Sequence, residues 1–475
     1  MAVIHKKLKK FKKRTIKFFK KRSFVIPLLT IALIFVFALH IFDFGKFGND
    51  FGASNQHPIV ELAFPLEHDV LLDEIYKAVN DKRFILLGEA SHGTEEFYYW
   101  RSVITKHLIE ENVISFVAVE GDWDALYQVN LYVKGLSDKN NAREILESFS
   151  RWPEWMWSNY VFLDLVEWIR DYNSNLDFDE MVGVYGVDVY GADNSLNELM
   201  IYYYNLDSFF ENIDYSIFES DLENLINCFS NFEYDFMSYA SFVSSSNSCE
   251  DYSIKFHESL DSLNYNNFND YEEKLNMFNL IQSSIVVKNA ESHYRNMRLP
   301  DSSSWNARAE SFGESTIAIS EFYKSYSDVY SGVVWAHNTH VGDAEYASML
   351  ERGSTNIGHY LRNIHSDDVF IVGFGTYSGT VVAGREWGVN PEIMNIPSAP
   401  SNSYEYLFNS LGFNEVFFMF NEYDFDDIFV HMGNRAIGVV YTPVFDNMRN
   451  FVQTTIQKRY DAFIFINNTN ALEFI

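Results

Sequence analysis

The sequence predicts an α/β fold: a largely parallel central sheet flanked by helices, with an inserted helical subdomain. Three observations carry this expectation. Short, continuous apolar runs such as Phe84 to Leu87 and Ser115 to Val119 recur along the chain, as strands buried on both faces should. Segments of helical periodicity alternate with several of them, the order expected of parallel strands joined by crossovers. A long stretch, about 195–330, breaks that rhythm; it is rich in Phe, Tyr, Asn and Ser and mostly helical in pattern.

The amino terminus stands apart. Residues 1–22 hold eleven Lys or Arg and no acid, leaving 25 basic against 66 acidic residues for the rest of the chain, a net of −41. A body so acidic argues against a nucleic-acid partner, because phosphate contacts need a basic face. Ser23 to Phe42 carries no formal charge and is dense in Ile, Leu, Val and Phe, matching the roughly 20 residues of a bilayer-spanning helix. The basic block before it marks the cytoplasmic side. A cleaved signal peptide fits less well, since the apolar run is longer than an h-region and no small-x-small site follows. The expected order is therefore a basic cytoplasmic segment 1–22, a signal anchor 23–42, a linker 43–57, and a body 58–475 outside the cytoplasm. Localisation would be the cell membrane, single-pass. Cys228 and Cys249 could form one disulfide in an exported body; two unpaired buried thiols would read the same way.

In the body, Val70 to Val79 reads as an amphipathic helix leading into the strand Phe84 to Leu87. Gly88 ends that strand, and Thr94 is placed to cap the following helix, Glu95 to Glu111. Between them lie Glu89 and His92. In that helix Phe97, Arg101, Ile104 and Leu108 share one face. Arg101 on an apolar stripe needs an anionic partner, or must extend to solvent. Ser115 to Val119 ends at Glu120, Met181 to Val187 at Asp188, and Ser331 to Trp335 at Ala336-His-Asn-Thr-His340, with Gly342-Asp343 beyond. Val369 to Gly373, Ala436 to Tyr441 and Ala462 to Ile466 read as further strands. Leu275 to Met297 and Glu310 to Tyr323 read as helices of the insertion.

Four strands thus deliver Glu89 and His92, Glu120, Asp188, and His337 with His340 toward one edge, where open α/β sheets bind ligands. There is no Gly-x-Ser-x-Gly elbow, phosphate loop, dinucleotide loop or zinc-type Cys spacing. Water activation remains, either by a histidine acting as general base or by a metal held on Glu and His side chains. Spacing leaves both open.

Several motifs together resemble the erythromycin esterase family, from about residue 60 to the end. They are Gly88-Glu-Ala-Ser-His-Gly-Thr-Glu-Glu-Phe97, Val117-Ala-Val-Glu-Gly-Asp-Trp123, Trp155-Met-Trp-x-Asn159, Tyr185-Gly-Val-Asp188, Asn289-Ala-Glu-x-x-Tyr-Arg295, Trp335-Ala-His-Asn-Thr-His-x-Gly-Asp-Ala344 and Ile437-Gly-Val-Val-Tyr441. The resemblance implies an α/β fold with a helical portion and hydrolysis of a macrolide lactone ester by metal-free general-base catalysis, without a cofactor. Glu89, His92, Arg101, Glu120, His337 and His340 match the family's functional positions. On that footing His92 is the expected general base and Glu89 orients it or the water. His337 or His340 donates to the oxyanion. Arg101 and Glu120 form a buried pair or contact substrate. Independently of the resemblance, Asp188 and Asp343, placed beyond their strands, are expected to bind substrate or support the site. Residues of about 205–270 show no such likeness. The expected partner is a small-molecule ester or lactone, besides the membrane. A metal-dependent hydrolase acting on another extracytoplasmic ester, such as an acylated polysaccharide, and a non-catalytic surface protein that binds a polymer or macrolide-like molecule are the rival expectations.

Overall fold

The computed structural model describes residues 58–210, 214–260, 263, 265, 271–420 and 431–475. The basic segment, the anchor and the linker expected at 1–57 lie outside the described residues. No helix among the described residues is long and apolar enough to cross a membrane.

Eleven strands occur among the described residues: β1 (Ala63–Pro65), β2 (Phe84–Leu87), β3 (Phe116–Asp122), β4 (Gly183–Asp188), β5 (Gly332–Trp335), β6 (Val369–Ala383), β7 (Glu392–Ile396), β8 (Glu415–Met419), β9 (Met432–Arg435), β10 (Phe451–Thr454) and β11 (Ala462–Thr469). Nine form one sheet in the order β1-β8-β11-β6-β2-β5-β3-β4, with β7 on β6. The run from β11 through β6, β2, β5 and β3 to β4 is parallel, and β1, β7 and β8 pair antiparallel at the margins. The fold is α/β with a largely parallel sheet.

Alternate residues of each central strand serve opposite faces, as the pleat requires. Phe84, Leu86, Phe116, Ala118, Tyr185 and Val334 join the core under the helices of 192–324. Ile85, Leu87, Val117, Val119, Val184 and Trp335 join the core under the helices of 68–173. The insertion therefore forms the covering layer of one sheet face, continuous with its core. Its helices Tyr271–Asn296 and Ser303–Lys324 begin four and seven residues before the positions at which the sequence predicts them. Cys228 and Cys249 are paired as a disulfide.

One predicted strand is not there. Residues 436–441 form no ladder, because their backbone N–H groups go to three separate acceptors: Ala436 to Asn450, Ile437 to Ala90 and Tyr441 to Gly384. The adjacent β9 forms its ladder with β10, in a two-stranded sheet. The expected side-chain cap at Thr94 is also absent. Thr94 holds the N-cap backbone position, but its hydroxyl bonds Ser91 instead.

Candidate active site

Register brings the site together. Leu87 pairs with Trp335 and Val372, Trp335 with Val119, and Val119 with Gly186. The residues just beyond these pairs therefore stand near one level of the sheet: Glu89 and His337 past the ends of β2 and β5, Asp188 as the last residue of β4, and Glu120 in the irregular stretch of β3 between Val119 and Asp122. The chain runs from β2 out to β3 and β4, returns to place β5 between β2 and β3, and continues to β6 on the other side. Such reversals of strand order open the crevices where α/β folds bind ligands.

The loop after β2 is held by backbone bonds on several sides. Gly88 N–H donates to Val372, and the carbonyls of Glu89, Ala90 and Gly93 accept from Asn338, Ile437 and Val382. At Gly93 a Cβ would lie 2.0 Å from the Val382 carbonyl oxygen, so only glycine lets the loop approach β6 so closely. This fixes Glu89 and His92 before the next helix begins.

His92 Nδ1 lies 2.8 Å from Glu89 Oε1. Arg101 Nη2 donates to the other Glu89 oxygen at 2.6 Å, and its guanidinium packs over the rings of Tyr98 and Trp335 at 4.4 and 4.7 Å. Arg101 is completely buried. The expected Arg101–Glu120 pair is thus incorrect: the helix Glu95–Glu110 turns Arg101 back toward the loop that precedes it. Glu120 faces the other helical layer. Its Oε1 accepts from Arg308 at 2.8 Å and lies 3.2 Å from His340 Nε2, while its Oε2 accepts the His337 N–H at 2.9 Å. Arg308 also forms a fork onto Asp188, at 2.9 and 2.6 Å. His340 is stacked on Trp305, ring centroids 4.6 Å apart.

The charges divide the two central histidines. Burial alone would lower the pKa of His92, but the carboxylates of Glu120 and Glu89 outweigh it and raise the value above 6.5. His337 is pushed well below 6.5 by burial and by the neighbouring His92, against the pull of Glu120. Its Nδ1 accepts the Thr339 N–H, so the neutral ring carries its proton on Nε2; the Ala90 backbone is near enough to the ring to raise its pKa slightly against these effects. The His92 and His337 rings lie 4.8 Å apart, centroid to centroid. Glu120 would be raised by burial, yet His340, His92 and Arg308 hold it well below the ordinary carboxylate value. Asp188 is lowered likewise, with Arg308 overcoming burial.

A cavity of about 320 Å³ is lined by His92, Glu120, Asp188, His337 and His340. Glu89 and Arg101 stand behind His92. Asp343 is not in its wall. It caps the short turn Ala344–Tyr346 and binds His359 at 3.0 Å and Arg362 at 3.4 Å; the turn Asn338–Val341 carries the chain past the crevice before Asp343 is reached. Arg151, Trp305, Arg308 and Trp387 line the cavity without following a strand in the expected way, and Tyr190, also in its wall, stands two residues beyond β4. Arg308 had one available signal: Trp305, Arg308 and Phe312 lie on one helical stripe, a cation among aromatic residues. Among the described residues, the one group of three His or acidic side chains with mutually close ligand atoms is Asp343, Glu345 and His359, outside the cavity.

A family model described as erythromycin esterase matches residues 109–469. The chain belongs to the erythromycin esterase family. The matched segment includes Glu120, Asp188, Arg308, His337 and His340, and membership in this family makes the chain a hydrolase with a small-molecule substrate. Three solved structures share the fold. A protein from Bacillus cereus is 18% identical, with a TM-score of 0.66 over 88% of this chain and 97% of that one. A protein described as a succinoglycan biosynthesis protein is 16% identical, with a TM-score of 0.64 over 87% and 96%. A mutant of the erythromycin esterase EreC, in its open conformation, is 14% identical, with a TM-score of 0.59 over 85% and 95%.

Proposed function

We propose that this family member hydrolyses a carboxylic ester or lactone by general-base activation of water, with the macrolide lactone implied by the family as its first test substrate. The observation that carries this is the Glu89–His92 pair facing a neutral His337. Glu89 accepts a hydrogen bond from His92 Nδ1–H, which leaves Nε2 unprotonated to take a proton from water. The hydroxide equivalent adds to the acyl carbon. His337 donates Nε2–H to the oxygen that becomes negative, and a neutral donor stays competent across the working pH. Two similar groups with pKa values driven apart is the pattern of divided acid–base roles. His340, held by Glu120 and Arg308, borders the same space. Ser91 is buried with its hydroxyl on Thr94, which does not suit a nucleophile.

The pH profile tests this. A base must be unprotonated to act, and the His92 pKa is raised, so turnover rises with pH through an apparent pKa above 6.5. Ser91→Ala keeps most activity, and a chelator leaves the rate unchanged. A trapped acyl adduct on Ser91 would select nucleophilic catalysis. Chelator inhibition reversed by added metal would select the metal-dependent rival.

The same proposal places the body outside the cytoplasm on a single anchor at 23–42. The basic block 1–22 beside an uncharged run supports it, as does the Cys228–Cys249 disulfide, since such bonds persist in oxidising compartments. Protease added to intact cells should digest the body; complete protection would refute this topology.

A further inference from the structure

We infer that the ester cleaved here is carried on an elongated, hydroxyl-rich, non-anionic chain, an acylated oligosaccharide, which runs from the catalytic cavity past Arg151 into a second cavity. The inference rests on the hydrolase reading for the acyl group; the seat for the chain is a separate structure. The second cavity is about 290 Å³ and shares Arg151, Pro153 and Trp157 with the catalytic one. Two abutting cavities suit a ligand that extends from one to the other better than a compact ring.

Composition of the second cavity names the ligand chemistry. Ser148, Ser150, Asn194 and Asn197 line it together with the aromatic Phe149 and Trp157. Hydroxyl, amide and carboxylate groups pair with sugar hydroxyls, which both donate and accept. Aromatic rings offer a flat apolar surface to the C–H face of a sugar ring. At the catalytic cavity Trp387 repeats this arrangement. It is 59% exposed, yet fixed against Trp152 at 4.6 Å between ring centroids, and Trp152 Nε1 donates to Val389.

Charge excludes a polyanion. Four carboxylates, Asp122, Asp124, Glu154 and Glu198, line the second cavity against one cation, Arg151. Arg151 is already paired with Asp122. Asp124 is pushed up to about 7 by burial and by Asp122, and its Oδ1 has no partner among the described residues. A neutral or amine-bearing chain relieves these acids, whereas an anionic one adds to their repulsion. In the reaction, water adds to the acyl carbon and the acyl C–O bond breaks. The chain keeps its oxygen as a hydroxyl, and the acyl group leaves as a carboxylate with release of a proton.

The test uses the full-length protein with O-acetylated chito-oligosaccharides of two to six residues, and calorimetry with unacylated chitohexaose, its de-N-acetylated amine form and hexagalacturonate. KM should fall at least about tenfold from dimer to hexamer, and hexagalacturonate should not bind. Asn197→Trp and Ser150→Trp, both at exposed wall positions, should flatten the dependence on length by filling the second cavity. Hydrolysis with a KM independent of length would overturn the inference while leaving the esterase proposal standing. If no ester is hydrolysed, that proposal fails. Calorimetric binding of chitohexaose that is lost in both tryptophan variants would still support the chain seat, and absence of such binding would overturn it.

Discussion

His92→Ala lowers turnover by about 10²–10⁴-fold, the usual contribution of a positioned general base, and changes KM much less. His92 does not stand alone. Its Nδ1 is bonded to Glu89, and Arg101 holds the second Glu89 oxygen, so ring orientation and tautomer are set before substrate arrives. The chemical barrier, not ground-state binding, should therefore carry the loss. The rise of turnover with pH that depends on the raised His92 pKa should vanish from the residual activity. Steady-state kinetics on any accepted ester decides: turnover within a few-fold of the parent, or an unchanged pH limb, would assign the base elsewhere.

The parts of the site that follow strands are the parts a sequence reader can find. Glu89, Glu120, Asp188 and His337 each stand within two residues of the pairs that align Leu87, Val119, Gly186 and Trp335. A parallel register does the rest. The same rule fails for Asp343, because the turn Asn338–Val341 intervenes and a strand's level no longer determines where the chain goes. It is silent about Arg308 and Arg151, which come from a helix and a loop. Arg308 was further hidden because the helix Ser303–Lys324 begins well before its evident apolar pattern. Residues 436–441 have strand-like composition, but hydrogen bonding to three separate acceptors is a tertiary fact that composition does not encode. The need of Arg101 for a buried anion was legible from its apolar helix face. Which of two acids would answer was not, since that depends on where the helix sends a side chain relative to the loop before it.

Arg101→Ala should lower stability by about 3–5 kcal/mol, the cost of leaving one member of a buried ion pair without the other. Arg101 and Glu89 are 0% and 1% exposed, so water cannot replace the lost cation. Packing over Tyr98 and Trp335 is lost as well. A buried pair is nevertheless weak evidence for stability as its purpose, because apolar replacements of both members are often neutral. The double variant Glu89→Gln with Arg101→Met separates the two roles. It should recover most of the stability, since no buried charge remains unpaired, while turnover stays low because His92 has lost the carboxylate that orients it. Denaturant unfolding at constant slope gives the stability change, and kinetics on the same preparations gives the rest. A single variant as stable as the parent would show that Glu89 finds another partner. A double variant restored in both stability and turnover would show that the pair does not serve His92.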